Sequence, residues 1–174
     1  MAPDGGTRLL VLAAPEETIA SFEAAFAAHG IRIGALEPAA LALSAIASPA
    51  LGGTGFVVFT DGPNVSTVFL ENGAVRFLRT RATATDPEQA LQEIRLAASF
   101  VGGISGDGPG LDVTGEVVVV PASSPVSSRF SEFRKESGGR EPVSLLPALV
   151  ARGFPPLGED PALMVGLGLL VGTE

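Results

Sequence analysis

Residues 56–80, FVVFTDGPNVSTVFLENGAVRFLRT, decide how this chain reads, because counting their periodicity resolves them into three short strands. Residues 56–60 form an apolar run. Residues 65–71 alternate through Val65, Thr67, Phe69 and Glu71, and residues 74–80 through Val75, Phe77 and Arg79. A period of two is the mark of a strand with unlike faces. The bends fall where residue chemistry allows them. Asp61-Gly62-Pro63-Asn64 has the composition of a turn, and Glu71-Asn72-Gly73 carries the Asn-Gly pair that accepts positive φ in a tight hairpin.

Working toward the N-terminus, residues 48–55, SPALGGTG, punctuate the chain as a linker. Residues 38–47 before it predict a helix opened by Pro38. Its Ala39, Leu41, Ala42, Leu43, Ala45 and Ile46 leave almost no polar face, so it is expected to lie buried between two layers and to connect two lobes. Ile31 to Leu36 is an expected strand. Gly30 stops an earlier helix that starts at Pro15, carries Glu16 and Glu17 in its first turn, and shows an Ile19, Phe22, Phe26 stripe. Leu9 to Ala13 is an apolar run suited to a buried strand. The expectation is a βαβα lobe over residues 8–47 behind a flexible lead, residues 1–7.

Toward the C-terminus, Asp86-Pro87-Glu88-Gln89 is the clearest helix start. Asp86 caps and Pro87 takes the first position, and Leu91, Ile94, Ala98 and Val101 keep helical spacing until Gly102-Gly103. The loop GISGDGPGLDVTG follows, then the four-valine strand Val117 to Val120. Pro125 opens a helix with Phe130 and Phe133 that runs to about Glu136, ahead of Gly138-Gly139. Pro142 to Leu146 is a short strand candidate, although LLPALV also suits a helical turn. Asp160 and Pro161 open a closing helix through Leu163, Val165, Leu167 and Leu170.

At 174 residues the chain is long enough to bury a core without staples. With 46% hydrophobic and 17% charged residues it is globular. A net charge of −8 and only 11 scattered basic residues argue against a nucleic-acid partner. The absence of cysteine removes disulfides, thiolate catalysis and thiolate metal sites. Residues 161–172 are too short and too rich in glycine to span a bilayer, and the start of the chain lacks a signal pattern. The expectation is a cytoplasmic protein without direct membrane insertion.

Three antiparallel strands followed by alternating helices and strands is the order of a ribonuclease H-like fold, the half-module of actin-like ATPases. From residue 8 to residue 172 the chain resembles the second half of a PilM-type protein, the actin-like component of the type IV pilus inner-membrane platform. LLVLAAPEETIASFEAAFAAHGIRIGALEPAALAL is similar to that family's strand, "AAP" turn, helix, strand and buried helix. FTDGPNVSTVFLENGAVRFLRT is similar to its second phosphate loop and hairpin, EVVVVPASSPVSSRFSEF stands at its adenosine loop, and EDPALMVGLGLLVG resembles its closing helix. The same architecture serves the type II secretion L-type protein and the FtsA-type cell-division proteins. The resemblance implies an α/β domain over residues 56–174, with the βαβα lobe at 8–47 and the linker at 48–55 ahead of it.

Working members of the family carry an Asp-Ile-Gly-x-x-x-Thr pattern, with the carboxylate on Mg²⁺ and the Gly and Thr on phosphate. Here the resemblance aligns Thr60, Asp61, Gly62, Ser66 and Thr67. Gly62 matches and Ser66 or Thr67 can supply a hydroxyl. Thr60, however, takes the carboxylate position, Asp61 is displaced by one residue to the other face of a strand, and Pro63 removes an N–H. Pro121, Ala122 and Ser123 stand where the family has consecutive glycines, and each Cβ obstructs close approach of a ligand. The implied function is a pseudo-ATPase with no catalytic residues, no metal and no cofactor. It would act as a cytoplasmic scaffold at the inner membrane, bound through the cytoplasmic tail of a pilus or secretion protein. Two other readings are an ATP-binding, Mg-dependent enzyme whose other half lies in a longer chain, and a self-associating module.

Other polar residues carry less. His29 precedes Gly30 at a helix end, where an imidazolium suits the last carbonyls, and it is the only histidine. Asp107 and Asp112 read as solvated loop charges. GISGDGPG lacks the Lys-Ser/Thr of a phosphate loop, and Ser123, Ser124, Ser127 and Ser128 form no nucleophile elbow and read as capping and loop residues. Arg76, Arg79 and Arg81 read as a solvated sheet edge.

Overall fold

The computed structural model describes residues 11–83, 85–105, 116–121, 123–136, 140–151 and 153. The expected lead at 1–7, most of the loop at 103–115, the 138–139 stop and the closing helix at 160–170 lie outside them. The chain divides into two compact units, residues 1–37 and 38–174.

In the first unit, helix α1 spans Glu16–Ala27, following Pro15 and carrying Glu16 and Glu17 in its first turn as expected. Gly30, at φ +73°, ends it, and the Ile31 N–H donates to the Phe26 carbonyl at 3.1 Å. None of its residues is buried, and Phe22 and Phe26 remain about half exposed. The strands expected at 9–13 and 31–36 do not form over their described residues, 11–13 and 31–36. A strand needs a partner backbone, and among the described residues every paired strand belongs to the second unit.

The second unit is an α/β layer structure built on one mixed sheet. Its strands are β1 (Gly55–Asp61), β2 (Asn64–Glu71), β3 (Ala74–Ala82) and β4 (Val117–Val120), in the order β3-β2-β1-β4. β1, β2 and β3 are antiparallel in sequence, and β4 is parallel to β1. Both hairpins have two-residue turns of the predicted chemistry. Gly62 at φ +53° followed by Pro63 has the signs of a type II′ turn, and Asn72 at φ +53° with Gly73 at +77° those of type I′.

Alternation sends the two faces of the sheet to two cores. Val57, Phe59, Val68, Leu70, Val118 and Val120 pack with Leu43, Ile46, Leu145 and Leu149 of helices α2 (Ala39–Ala50) and α5 (Leu146–Ala151) and the turn before α5. Phe56, Val58, Val65, Phe69, Val117 and Val119 pack with Leu91, Ile94 and Phe130 of helices α3 (Pro87–Ser105) and α4 (Pro125–Glu136). The four valines of β4 are buried because both faces are covered.

Three boundaries differ from expectation. α2 groups with the second unit, whose sheet its almost wholly apolar surface covers. It also runs through Pro49 to Ala50, into the segment expected as a linker. α3 continues past Gly102 and Gly103 to Ser105, since glycine lowers helix propensity without forbidding it. At LLPALV the helical alternative is adopted as α5, and the expected strand there survives only as the Val143 N–H donating to the Val117 carbonyl at 2.7 Å.

Candidate functional site

The carboxyl-terminal ends of the parallel pair β1 and β4 lie side by side, Phe59 opposite Val120. In open α/β sheets such strand ends border the natural crevice. Here they frame a cleft of about 440 Å³ lined by Thr60, Asp61, Gly62, Val65, Thr83, Thr85, Pro121, Ser124, Pro125 and Val126. Two segments singled out in the sequence, 60–62 and Pro121, therefore meet across one cavity although some 60 residues of chain separate Thr60 from Val120.

The hydroxyls of Thr60, Thr83 and Ser124 in the cleft are engaged with the fold. Thr60 Oγ1 donates to the Val120 carbonyl at 3.4 Å, a long contact that ties β1 to β4. Thr83 Oγ1 donates to the Pro63 carbonyl at 3.3 Å, beside its own N–H on the same oxygen at 2.6 Å. Ser124 Oγ accepts the Ser127 N–H at 3.0 Å and so caps α4. Behind Thr85, Asp86 Oδ1 accepts the Glu88 N–H at 2.9 Å and caps α3. Both helix starts near the cleft thus have their N–H groups partly satisfied by side chains, which reduces their pull on an anion.

Asp61 is exposed, at the rim of the cleft. By strand alternation it shares the α2 side with Val57 and Phe59, whereas Thr60 shares the α3 and α4 side with Phe56 and Val58. Ser66 and Thr67 are not in the cleft. Ser66 Oγ bonds Thr80 Oγ1 at 2.8 Å on the α2 side, and Thr67, 3% exposed, sits between Val58 and Arg79 in the sheet. Ser123 is exposed outside the lining, and Ala122 lies outside the described residues.

Thr83, Ser124 and Val126 were not singled out as site residues. Ser124 was legible only as a capping residue before Pro125, and Thr83 had no signal because its place depends on the β3-to-α3 turn. The buried Arg134 was also missed. It is 1% exposed on α4, where Nε donates to the Arg140 carbonyl at 2.6 Å and the guanidinium lies 6.0 Å from the Phe130 ring centre. Its signal was the i, i+4 spacing from Val126 through Phe130, which puts it on the apolar face.

A second hollow, about 550 Å³, runs along α3 past Glu88, Gln92, Arg95 and Ser99. Its charged groups face α4: Glu88 accepts a hydrogen bond from Arg129 Nε, and the Arg95 guanidinium lies 5.3 Å from the Phe133 ring centre. The Glu88 hydrogen bond holds the Arg129 guanidinium above its ordinary pKa against a smaller opposing effect of desolvation.

The described lining of the cleft between β1 and β4 is poor in charge. Asp61 is the one carboxylate and no Lys or Arg is present among the described lining residues, so a triphosphate would meet like charge and no counter-charge. Pro121 and Pro125 offer no N–H. No group of three or more acidic or histidine side chains placed to hold a metal occurs among the described residues, and no helix among them is long and apolar enough to cross a membrane. No protein-family model matches the chain, and comparison with curated proteins gives no match.

Proposed function

We propose that this chain is an actin-like half-module acting as a non-catalytic scaffold in a type IV pilus or type II secretion platform. It docks the cytoplasmic tail of an inner-membrane protein and is held at the membrane only through that partner. The topology supports the ribonuclease H-like part of the reading. A β3-β2-β1-β4 order, with β2 reversed, β4 parallel to β1 and a helix between β3 and β4, agrees with the element order that suggested this fold.

The observation that carries the non-catalytic part is the chemistry of the cleft. The segments that stand at the phosphate and adenosine loops converge, yet they bring together one exposed carboxylate, hydroxyls bonded to backbone, and prolines. The test is fractionation of cells expressing the tagged chain with and without the pilus and secretion components. Sedimentation with the inner membrane only when they are present supports the proposal, and recruitment in cells lacking all of them overturns it.

One observation favours a second reading, an ATP-binding enzyme completed by a longer chain: the two loops converge at all, with Asp61 at the rim. Saturable Mg-ATP binding that depends on Asp61 separates the two.

A further inference from the structure

We propose that the outer edge of β3 is a docking site for an extended acidic peptide, which adds to the sheet as a further strand. β3 ends the sheet, and among the described residues no strand pairs with its outer side. Two-residue hairpins fix which groups point outward, because antiparallel partners alternate between bonded and non-bonded pairs. Asp61 and Asn64 flank one turn, so residues 64, 66, 68 and 70 bond to β1 and residues 65, 67, 69 and 71 bond to β3. Their partners Arg81, Arg79, Phe77 and Ala74 use their backbone groups inward. Leu78, Thr80 and Ala82, between them, aim N–H and C=O groups outward, and Thr83 turns inward again onto the Pro63 carbonyl. The register shift at Phe69/Leu70 adds Arg76 to β3 as a bulge, which blunts the start of the edge and leaves residues 77–82 as the usable template.

The side chains beside that template define the occupant. On the α3 side, Phe77 contacts Phe100 at 5.4 Å between ring centres, and Phe100 and Leu96 are 58% and 48% exposed. Helical spacing puts Leu96 and Phe100 on one stripe with Glu93, which pairs with Arg79 at 2.8 Å. Arg81, next along the same face, is exposed and makes no ion pair among the described residues. An added strand therefore meets an apolar position at Phe77, the Arg79–Glu93 pair, and a basic position at Arg81. An antiparallel peptide with the pattern acidic-x-acidic-x-apolar satisfies all three. A second copy paired about a twofold at Thr80 does not, because it sets each Arg81 opposite an Arg79 of the other copy. With a net charge of −8, the chain disfavours an acidic peptide over most of its remaining surface.

This site stands on the geometry of the edge alone and goes beyond the scaffold reading; a peptide experiment can fail while partner-dependent recruitment succeeds, and the reverse. The probe is a labelled peptide containing Glu-Thr-Glu-Val-Leu between Gly-Ser flanks, titrated into the full chain with anisotropy and amide hydrogen exchange as readouts. The expected result is saturable binding with new protection at Leu78, Thr80 and Ala82. Binding weakens about tenfold or more in Arg81→Glu and is lost with a backbone N-methylated peptide and in Thr80→Pro, which removes an outward N–H and leaves the backbone ladder to β2 in place, although it also removes the hydroxyl bond to Ser66. Arg81→Glu lies on an exposed position and keeps the test valid if the proline variant melts early. No binding, equal binding to Arg81→Glu and wild type, or concentration-dependent dimerisation through β3 that Thr80→Pro abolishes would each overturn the proposal.

Discussion

Replacing Gly55 with alanine tests whether β1 and β4 are packed as closely as described. A Cβ at Gly55 would lie 2.5 Å from the Glu116 carbonyl oxygen and 3.1 Å from Leu51 Cδ2. The leucine end can swing away. The carbonyl cannot do so freely, because it accepts the Phe56 N–H at 3.0 Å, where the β1–β4 pairing begins. Relief therefore requires moving the strands apart or breaking that bond. Overpacking of this kind costs about 1–3 kcal/mol, and a strained or lost backbone bond about 1 more. The expected destabilisation is about 2–4 kcal/mol, a fall in Tm of roughly 5–10 °C for a chain of this size. Gly62→Ala is the control. It also has positive φ, +53°, but nothing lies within 4 Å of its Cβ position, so it carries only backbone strain of about 1–2 kcal/mol. Urea unfolding followed by circular dichroism measures both. A Gly55→Ala loss below about 0.5 kcal/mol, or smaller than that of Gly62→Ala, refutes the close approach.

Ser124→Ala removes the α4 cap and is expected to cost about 1 kcal/mol in urea unfolding, while Ser123→Ala, on an exposed side chain outside the cleft lining, stays within about 0.5 kcal/mol. Arg134→Ala leaves a cavity and the Arg140 carbonyl without its donor, for an expected loss of about 2–4 kcal/mol. Arg134→Met fills the volume with apolar atoms and is expected to cost less, a ranking that thermal melts check. Ile94→Ala, at a fully buried site under the sheet, is expected to cost about 2–5 kcal/mol, whereas Leu96→Ala two residues on, about half exposed, costs under about 1 kcal/mol.

The sheet was legible because its signals are local. Alternation set the faces of β2 and β3, Gly62 and Asn72-Gly73 set their turns, and the continuous valines of β4 announced a strand covered on both sides. α3 and α4 were legible from Asp86-Pro87 and Pro125 for the same reason. In the first unit α1 was legible from Pro15, Glu16 and Glu17, but the expected strands did not form, because an apolar run such as Ile31 to Leu36 becomes a strand only when another backbone lies beside it. The home of α2 was not legible either: an almost wholly apolar helix shows that it is buried, not against which layer. In the cleft, Thr60 and Asp61 could be placed by register. The engagement of Thr83 and Ser124 depends on turns that close only in three dimensions, and the bond between Ser66, one of the two hydroxyls offered for phosphate, and Thr80 was not legible because its partner comes from the next hairpin.

Calorimetric titration of the chain with Mg-ATP asks whether the cleft between β1 and β4 holds a Mg-nucleotide. A non-catalytic scaffold gives no saturable heat up to about 1 mM ligand, with identical traces for wild type and Asp61→Ala. Micromolar binding that disappears in Asp61→Ala would contradict that reading, since the rim carboxylate would then be a working metal ligand and the chain half of an enzyme.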